Sequence, residues 1–166
     1  CLADAGFSIT NDEKEADVIV VNTCGFITPA KEESINAILE AAQARKKGSL
    51  LAVTGCLAER DRAILEGMKA VDFIFTNQEK HRIADFLIAE ISKPKSVGMV
   101  TGREMHKGFL PLSITTSDGK TRAIVKIQDG CNNACSYCKV VLARGPSRSR
   151  SLGDILAEVR RLADNG

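Results

Sequence analysis

The sequence has no tryptophan, one tyrosine, two histidines and no surplus of either charge. Its 23 Lys and Arg stand against 21 Asp and Glu, a formal net charge of +2. That balance excludes a uniformly basic nucleic-acid coat and an acidic tail protein. No apolar run approaches the roughly 18–20 residues needed to cross a bilayer, so no membrane-spanning segment or membrane partner is expected. A signal peptide is not expected either: the chain opens Cys1-Leu2-Ala3-Asp4, with no basic stretch before an apolar core. A cytoplasmic location follows as an expectation. An initiator Met is also missing. The opening reads as the end of a helix, and Gly166 falls where a helix cap would fall, so a fragment of a longer protein is expected. What remains is an ordinary globular composition, 44% apolar and 27% charged, which excludes disordered and fibrous classes. The 166 residues suit one domain or two small ones, at about 150 residues per domain.

Against these shortages stand six cysteines: Cys1, Cys24, Cys56, Cys131, Cys135 and Cys138. Disulfide frameworks belong to small exported domains that lack a sufficient core. This chain has long helical patterns and no export signal, so disulfides are not expected. Three of the cysteines fall between Cys131 and Cys138. Such crowding favours metal ligation, because thiolates on one tight loop can converge.

The chain reads as alternating strands and helices. Val18-Ile19-Val20-Val21 is a β-branched run suited to a strand buried on both faces of a parallel sheet. A helix follows from Thr28-Pro29, with Thr28 as cap and Pro29 in first position, and with Ile35, Ile38, Leu39 and Ala42 as its apolar face. Leu50–Val53 is a second strand leading to Thr54-Gly55-Cys56, and a helical stretch through Ala63, Ile64 and Leu65 comes next. Val71–Phe75 is a third strand, and a helix over about 78–92 carries Ile83, Phe86, Leu87 and Ile91. This order predicts βαβ units and an open, doubly wound parallel sheet. Residues 95–110 read as a linker. Pro111–Thr115 and Thr121–Ile127, joined through Ser117-Asp118-Gly119-Lys120, read as a β-hairpin. A last helix from Ser151 to Asp164 is capped by Ser151 with Asp154, and its stripe of Leu152, Ile155, Leu156, Val159 and Leu162 is expected to pack in a core.

Three constellations bear chemistry. The first is Cys131-x3-Cys135-x2-Cys138, directly after the last predicted strand. Three thiolates hold three irons of a cubane cluster and leave the fourth iron open to a cofactor or substrate. The alternative is structural zinc on Cys135 and Cys138. Zinc needs four closed ligands, and His81 and His106 are distant and lack partner spacing. The second is the pair Cys24 and Cys56, each just past a strand. Loops at the carboxyl ends of parallel strands share one edge, where ligands bind, so the two are candidate neighbours. The alternative is a pair of buried structural cysteines. The third is the segment 120–150, with Lys120, Arg122, Lys126, Lys139, Arg144, Arg148 and Arg150 against Asp129 alone. It reads equally as a solvated basic loop or as a contact for a carboxylate, phosphate or nucleic acid.

Cys-x3-Cys-x2-Cys after a strand resembles the signature of radical S-adenosylmethionine enzymes. Val20-Val21-Asn22-Thr23-Cys24-Gly25-Phe26-Ile27, Ala30–Ile35 and Thr54-Gly55-Cys56-Leu57-Ala58-Glu59-Arg60 resemble the N-terminal domain of the methylthiotransferases. Within that family the wording is most similar to the RimO type, which acts on an aspartate of the small-subunit ribosomal protein S-twelve. Arg144–Arg150, Lys126–Asn133 and Asn77–Ile83 are also similar to the MtaB type, which acts on tRNA. The resemblance implies a methylthiotransferase N-terminal domain over 1–94, a linker over 95–110, and a hairpin with the first strand and helix of a radical β/α barrel over 111–166. It implies two [4Fe–4S] clusters and S-adenosylmethionine. One cluster sits on Cys131, Cys135 and Cys138 and binds S-adenosylmethionine at its open iron. The auxiliary one takes Cys24, Cys56 and a third cysteine from an upstream Leu-Gly-Cys stretch absent from this sequence; Cys1 is not that residue. Tyr137, inside the cysteine loop, would flank the cofactor adenine or simply pack. The implied chemistry is cleavage of S-adenosylmethionine to a 5′-deoxyadenosyl radical, hydrogen abstraction at the aspartate β-carbon and insertion of a methylated sulfur carried by the auxiliary cluster. Electrons would come from a flavodoxin or ferredoxin. Without most of the barrel and the C-terminal TRAM domain, these residues alone should not turn over. The expectation from another class is a non-catalytic iron–sulfur or zinc module.

Overall fold

The computed structural model describes residues 2–91, 109, 123–133 and 135–164. The chain divides into two compact units, Cys1–Met105 and His106–Gly166.

The first unit is built on a parallel sheet of β1 (Val18–Thr23), β2 (Leu50–Gly55) and β3 (Phe73–Phe75), in that spatial order. Helix α1 (Thr28–Ala44) connects the first two strands, and the short α2 (Cys56–Arg60) and α3 (Arg62–Glu66) connect the second and third. A single 3-10 turn, Lys80–Arg82, then leads into α4 (Ile83–Ile91). The register sets Val18 opposite Leu50 and Thr23 opposite Gly55, so β1 and β2 end at one edge. Successive strand residues point to opposite faces. Leu51 and Val53 therefore join Ile38 and Ala41 of α1, Leu57 of α2 and Leu65 of α3. Ala52 joins Phe73, Phe75 and, from α4, Ile83 and Leu87. Helices thus cover both faces, and the α/β parallel architecture predicted from the alternating pattern is the one found. Phe86 meets Phe73 and Phe75 edge-on, with ring centroids 5.1 and 5.4 Å apart, the geometry their quadrupoles favour.

Several local expectations change. Thr28 is not the cap of α1: it is the first helical residue, Ile27 is the extended residue before it, and the Ile27 carbonyl accepts the Lys31 amide at 3.0 Å. Pro29, without an amide proton, is tolerated in that first turn. The buried stripe of α1 is centred on Ser34, Ile38 and Ala41, while Leu39 is exposed. Val18–Val21 is not buried on both faces. Among the described residues β1 lies at the edge of the sheet and its three valines are half-buried, and Val18 and Val20 line a cavity of about 600 Å³ with Leu2, Phe7 and Ile91. The third strand starts only at Phe73, because Asp72 turns its carboxylate back to accept the Leu51 amide at 2.8 Å.

In the second unit β4 (Gln128–Asp129) pairs antiparallel with β5 (Arg148–Ser149). Between them lies α5 (Val140–Arg144), and α6 (Leu152–Asp164) follows. The strand expected over Thr121–Ile127 is absent from residues 123–127, and pairing begins only at Gln128. A strand needs a ladder partner, and β5 offers two residues. The hairpin's first arm and turn, 111–120, lie outside the described residues, as does the linker 95–110 apart from Phe109. Ser151 does cap α6: its hydroxyl accepts the Asp154 amide at 3.2 Å and donates to the Asp154 carboxylate at 2.6 Å. The α6 stripe does not pack in a core among the described residues. Leu152, Leu156 and Val159 are exposed, and the buried residue of this helix is Glu158.

Candidate metal centre

The sheet fixes the first pair of thiols. Thr23 and Gly55 are register partners, so Cys24 and Cys56 are the next residues on adjacent parallel chains at the same edge. The approach is close. Gly55 has φ +108, and a Cβ there would lie 2.2 Å from the Thr23 carbonyl oxygen, so only glycine suits the position. The Thr23 hydroxyl donates to the Thr54 carbonyl at 2.7 Å. Ser34 of α1 folds the Cys24 backbone over: its hydroxyl accepts the Cys24 amide and donates to the Cys24 carbonyl, both at 2.9 Å. Cys24 is exposed, and Cys56, heading α2, is buried.

The ring of strand ends is closed by polar contacts. Arg60 Nη1 donates to the Gly25 carbonyl at 3.0 Å, and the Asn77 amide donates to Glu59 Oε1 at 2.7 Å. Burial pushes the Glu59 carboxyl up from its ordinary value; the Asn77 amide opposes the rise and Glu79 adds to it. Glu79 is itself buried and accepts both the amide and the hydroxyl of Thr76 at 2.8 Å. Among the described residues the buried Thr54 hydroxyl and Asn77 side-chain nitrogen have no hydrogen-bond partner, which leaves polar capacity at this edge.

The second group occupies the loop from β4 to α5. Gly130 has φ +75, and a Cβ there would lie 2.2 Å from the Pro146 carbonyl oxygen. The Cys131 amide donates to the Gly145 carbonyl at 3.2 Å, and the Cys138 amide to the Cys135 carbonyl at 3.1 Å. The Asn133 amide donates to Cys131 Sγ at 3.4 Å. Cys135 is exposed, and Cys131 and Cys138 are half-buried. Tyr137 is 84% exposed, so it packs in no core among the described residues.

The five described cysteines are free thiols. In donor type and exposure the three loop thiols and the Cys24–Cys56 pair fit a thiophilic metal such as iron. Among the described residues no three His, Cys, Asp or Glu side chains converge on one metal position, so the fit is one of donor chemistry and loop placement. No described helix is long and apolar enough to cross a membrane.

Several cations of the basic segment gather round one acid. Asp129, at 8% exposure, is surrounded by Lys126 at 3.0 Å, Arg144 at 3.4 Å and Arg148 at 3.6 Å. Burial alone would push its carboxyl up, but the Lys126 hydrogen bond and the three positive charges outweigh that and hold it below the ordinary value. Arg150 pairs with the buried Glu158 of α6. Four of the seven basic residues are therefore committed to ion pairs within this unit. Lys126 and Arg150 also lie over the Phe109 ring, 5.5 and 5.9 Å from its centroid.

Residues 1–76 match the family described as uncharacterized protein family UPF0004. The chain is 41% identical over 168 residues to the protein named ribosomal protein uS12 methylthiotransferase RimO of Caldicellulosiruptor saccharolyticus, covering 98% of this chain and 38% of that protein. It is 42% identical over 170 residues to the protein of that name from Syntrophomonas wolfei, covering 99% and 38%. The Myxococcus xanthus protein is 40% identical over 168 residues, covering 99% and 34%. Over nearly its whole length the chain is similar to proteins bearing the RimO methylthiotransferase name. It spans little more than a third of the length of the relatives it matches. The RimO-like wording of the segments around Cys24 and Cys56 thus sits on the sheet edge just described. Sequence reasoning missed the roles of Ser34, Glu59 and Arg60 at that edge and of Asp129 in the second unit. Only Asp129 left a signal, as the single acid among seven bases.

Proposed function

We propose that this chain is part of a radical S-adenosylmethionine methylthiotransferase that modifies an aspartate β-carbon of ribosomal protein uS12. The observation that carries the reading is identity of about 40% over nearly the whole chain to proteins bearing that name. Free thiols on one glycine-bounded loop support it further. In this reading Cys131, Cys135 and Cys138 hold a [4Fe–4S] cluster with one open iron, and Cys24 and Cys56 supply two of three ligands to an auxiliary one. When bound, the clusters and S-adenosylmethionine supply radical and sulfur chemistry that side chains alone cannot. The protein's own residues do the positioning. Gly130 lets the loop run against the Pro146 backbone, the Asn133 amide donates to Cys131 Sγ, and the Asp129 cluster of charges anchors the base of the loop. Exposed Tyr137 is the surface against which the adenine would lie, and the first strand and helix of a β/α barrel would begin in this unit. A flavodoxin or ferredoxin in the cytoplasm would be the electron donor.

The test is a deletion of the gene in its native host, followed by mass spectrometry of ribosomal proteins and nucleoside analysis of tRNA. Loss of a methylthio group from uS12 aspartate, restored by the intact gene, is the expected result. A loss confined to a tRNA nucleoside would overturn the substrate assignment, and no loss from either would overturn the activity.

A further inference from the structure

Helix α2 starts at Cys56, and one turn later two consecutive residues leave it for two different loops. Arg60 reaches the Gly25 carbonyl, immediately after Cys24, at 3.0 Å. Glu59 takes the Asn77 amide, just beyond β3, at 2.7 Å. The ring is completed by Lys80, whose ammonium donates to the Asn22 side chain at 2.9 Å. The ends of all three parallel strands are thus tied together around the helix that Cys56 heads. The backbones also touch: a Cβ on Gly25 would sit 3.4 Å from Leu57 N and Cα.

We infer that Arg60 is a positioning residue for the metal centre on Cys24 and Cys56, holding the Cys24 loop at a fixed separation from α2. This rests on the ligand reading given above for those two cysteines. The guanidinium, hydrogen-bonded across the gap to the backbone next to Cys24, ties that loop to the helix that Cys56 heads and so fixes the separation of the two cysteines. Arg suits the task because it keeps its charge at every relevant pH and presents its donors in a rigid plane. Beside it the Lys31 ammonium pairs with the Asp61 carboxylate at 2.9 Å, joining α1 to the end of α2, but the Arg60 bond is the one that ends on the residue next to Cys24 among the described contacts.

The test uses the full-length protein with Cys131, Cys135 and Cys138 replaced by Ala, so that only the N-terminal centre remains. It is reconstituted without oxygen from ferrous iron and sulfide, with Arg60 intact or as Arg60→Met or Arg60→Lys. The readouts are iron per chain, the rate of iron loss to a ferrous chelator, the electron paramagnetic resonance spectrum of the reduced centre and the melting temperature of the metal-free protein. Arg60→Met is expected to lose iron about tenfold faster with an altered spectrum, at a metal-free melting temperature close to that of the parent, and Arg60→Lys is expected to restore part of the difference. An unchanged rate and spectrum in Arg60→Met would overturn the inference. So would a fall in metal-free stability that accounts for the iron loss without rescue by Lys, since Arg60 would then be merely structural. A parent that takes up no iron would overturn the ligand reading of Cys24 and Cys56 and, with it, the role of Arg60.

Discussion

A single β-carbon decides whether the two cysteine loops can lie side by side. Gly55 combines a left-handed backbone with a 2.2 Å approach of its virtual Cβ to the Thr23 carbonyl. A side chain there must push β1 from β2 at the point where Cys24 and Cys56 leave the sheet. Gly55→Ala is therefore expected to destabilise the first unit by about 2–4 kcal/mol, the range of backbone strain plus overpacking, read as a lowered urea midpoint. In the first turn of α2, Glu59 gives a pH signature. Its carboxyl is raised by burial, so the folded chain holds that proton more tightly than the unfolded chain. This contribution favours folding below the unfolded value of about 4.5 and is lost as pH rises through the higher folded value. Glu59→Gln keeps an oxygen for the Asn77 amide but removes the titration. Relative to wild type it is expected to gain stability between pH 4 and pH 7, followed by thermal melts across that range; a gap that does not vary with pH would mean the burial term is absent.

Elements show how far sequence reading reaches. The strands and helices of the first unit were legible because hydrophobic period and turn residues agreed, as at Leu50–Val53 before Thr54-Gly55. Ser151 with Asp154 was legible as a cap because that chemistry is local. Burial partners were not legible where a long-range contact overrode the local pattern. Leu39 matched the helical period yet faces out, because the sheet meets α1 along Ser34, Ile38 and Ala41. The stripe of α6 gave a core reading, whereas the element buries an acid, Glu158, against Arg150. The site followed the same rule: the cysteines were visible by type and spacing, but Arg60 and Ser34 act through partners 35 and 10 residues away. Two predictions follow for α6. Ser151→Ala removes the side-chain acceptor at its first turn and is expected to cost about 1 kcal/mol. Glu158→Ala leaves the Arg150 guanidinium, only 6% exposed, without its buried counter-charge and is expected to cost about 3–5 kcal/mol. Denaturant titration of the second unit's fluorescence, from its sole tyrosine, Tyr137, separates the two values.

At the scale of the whole molecule, the cysteines fall into two compact units, Cys24 and Cys56 in one and Cys131, Cys135 and Cys138 in the other. The two centres proposed for these cysteines should then be separable by mutation. In the full-length protein, reconstituted anaerobically, Cys135→Ala is expected to remove about half of the bound iron. It is also expected to abolish the change in the electron paramagnetic resonance spectrum on adding S-adenosylmethionine, because a cluster with an open iron needs all three loop thiolates. Cys24→Ala is expected to remove a comparable share of iron while keeping that spectral response, since the 131–138 loop has its own glycine turn, backbone bonds and buried carboxylate. Methylthiolation of uS12 should fail in both variants, but cleavage of S-adenosylmethionine should persist only in Cys24→Ala. If Cys24→Ala also lost the response, the centres would be coupled. If neither variant lost iron, neither Cys135 nor Cys24 would be a ligand, and the proposed reading of both centres would fall.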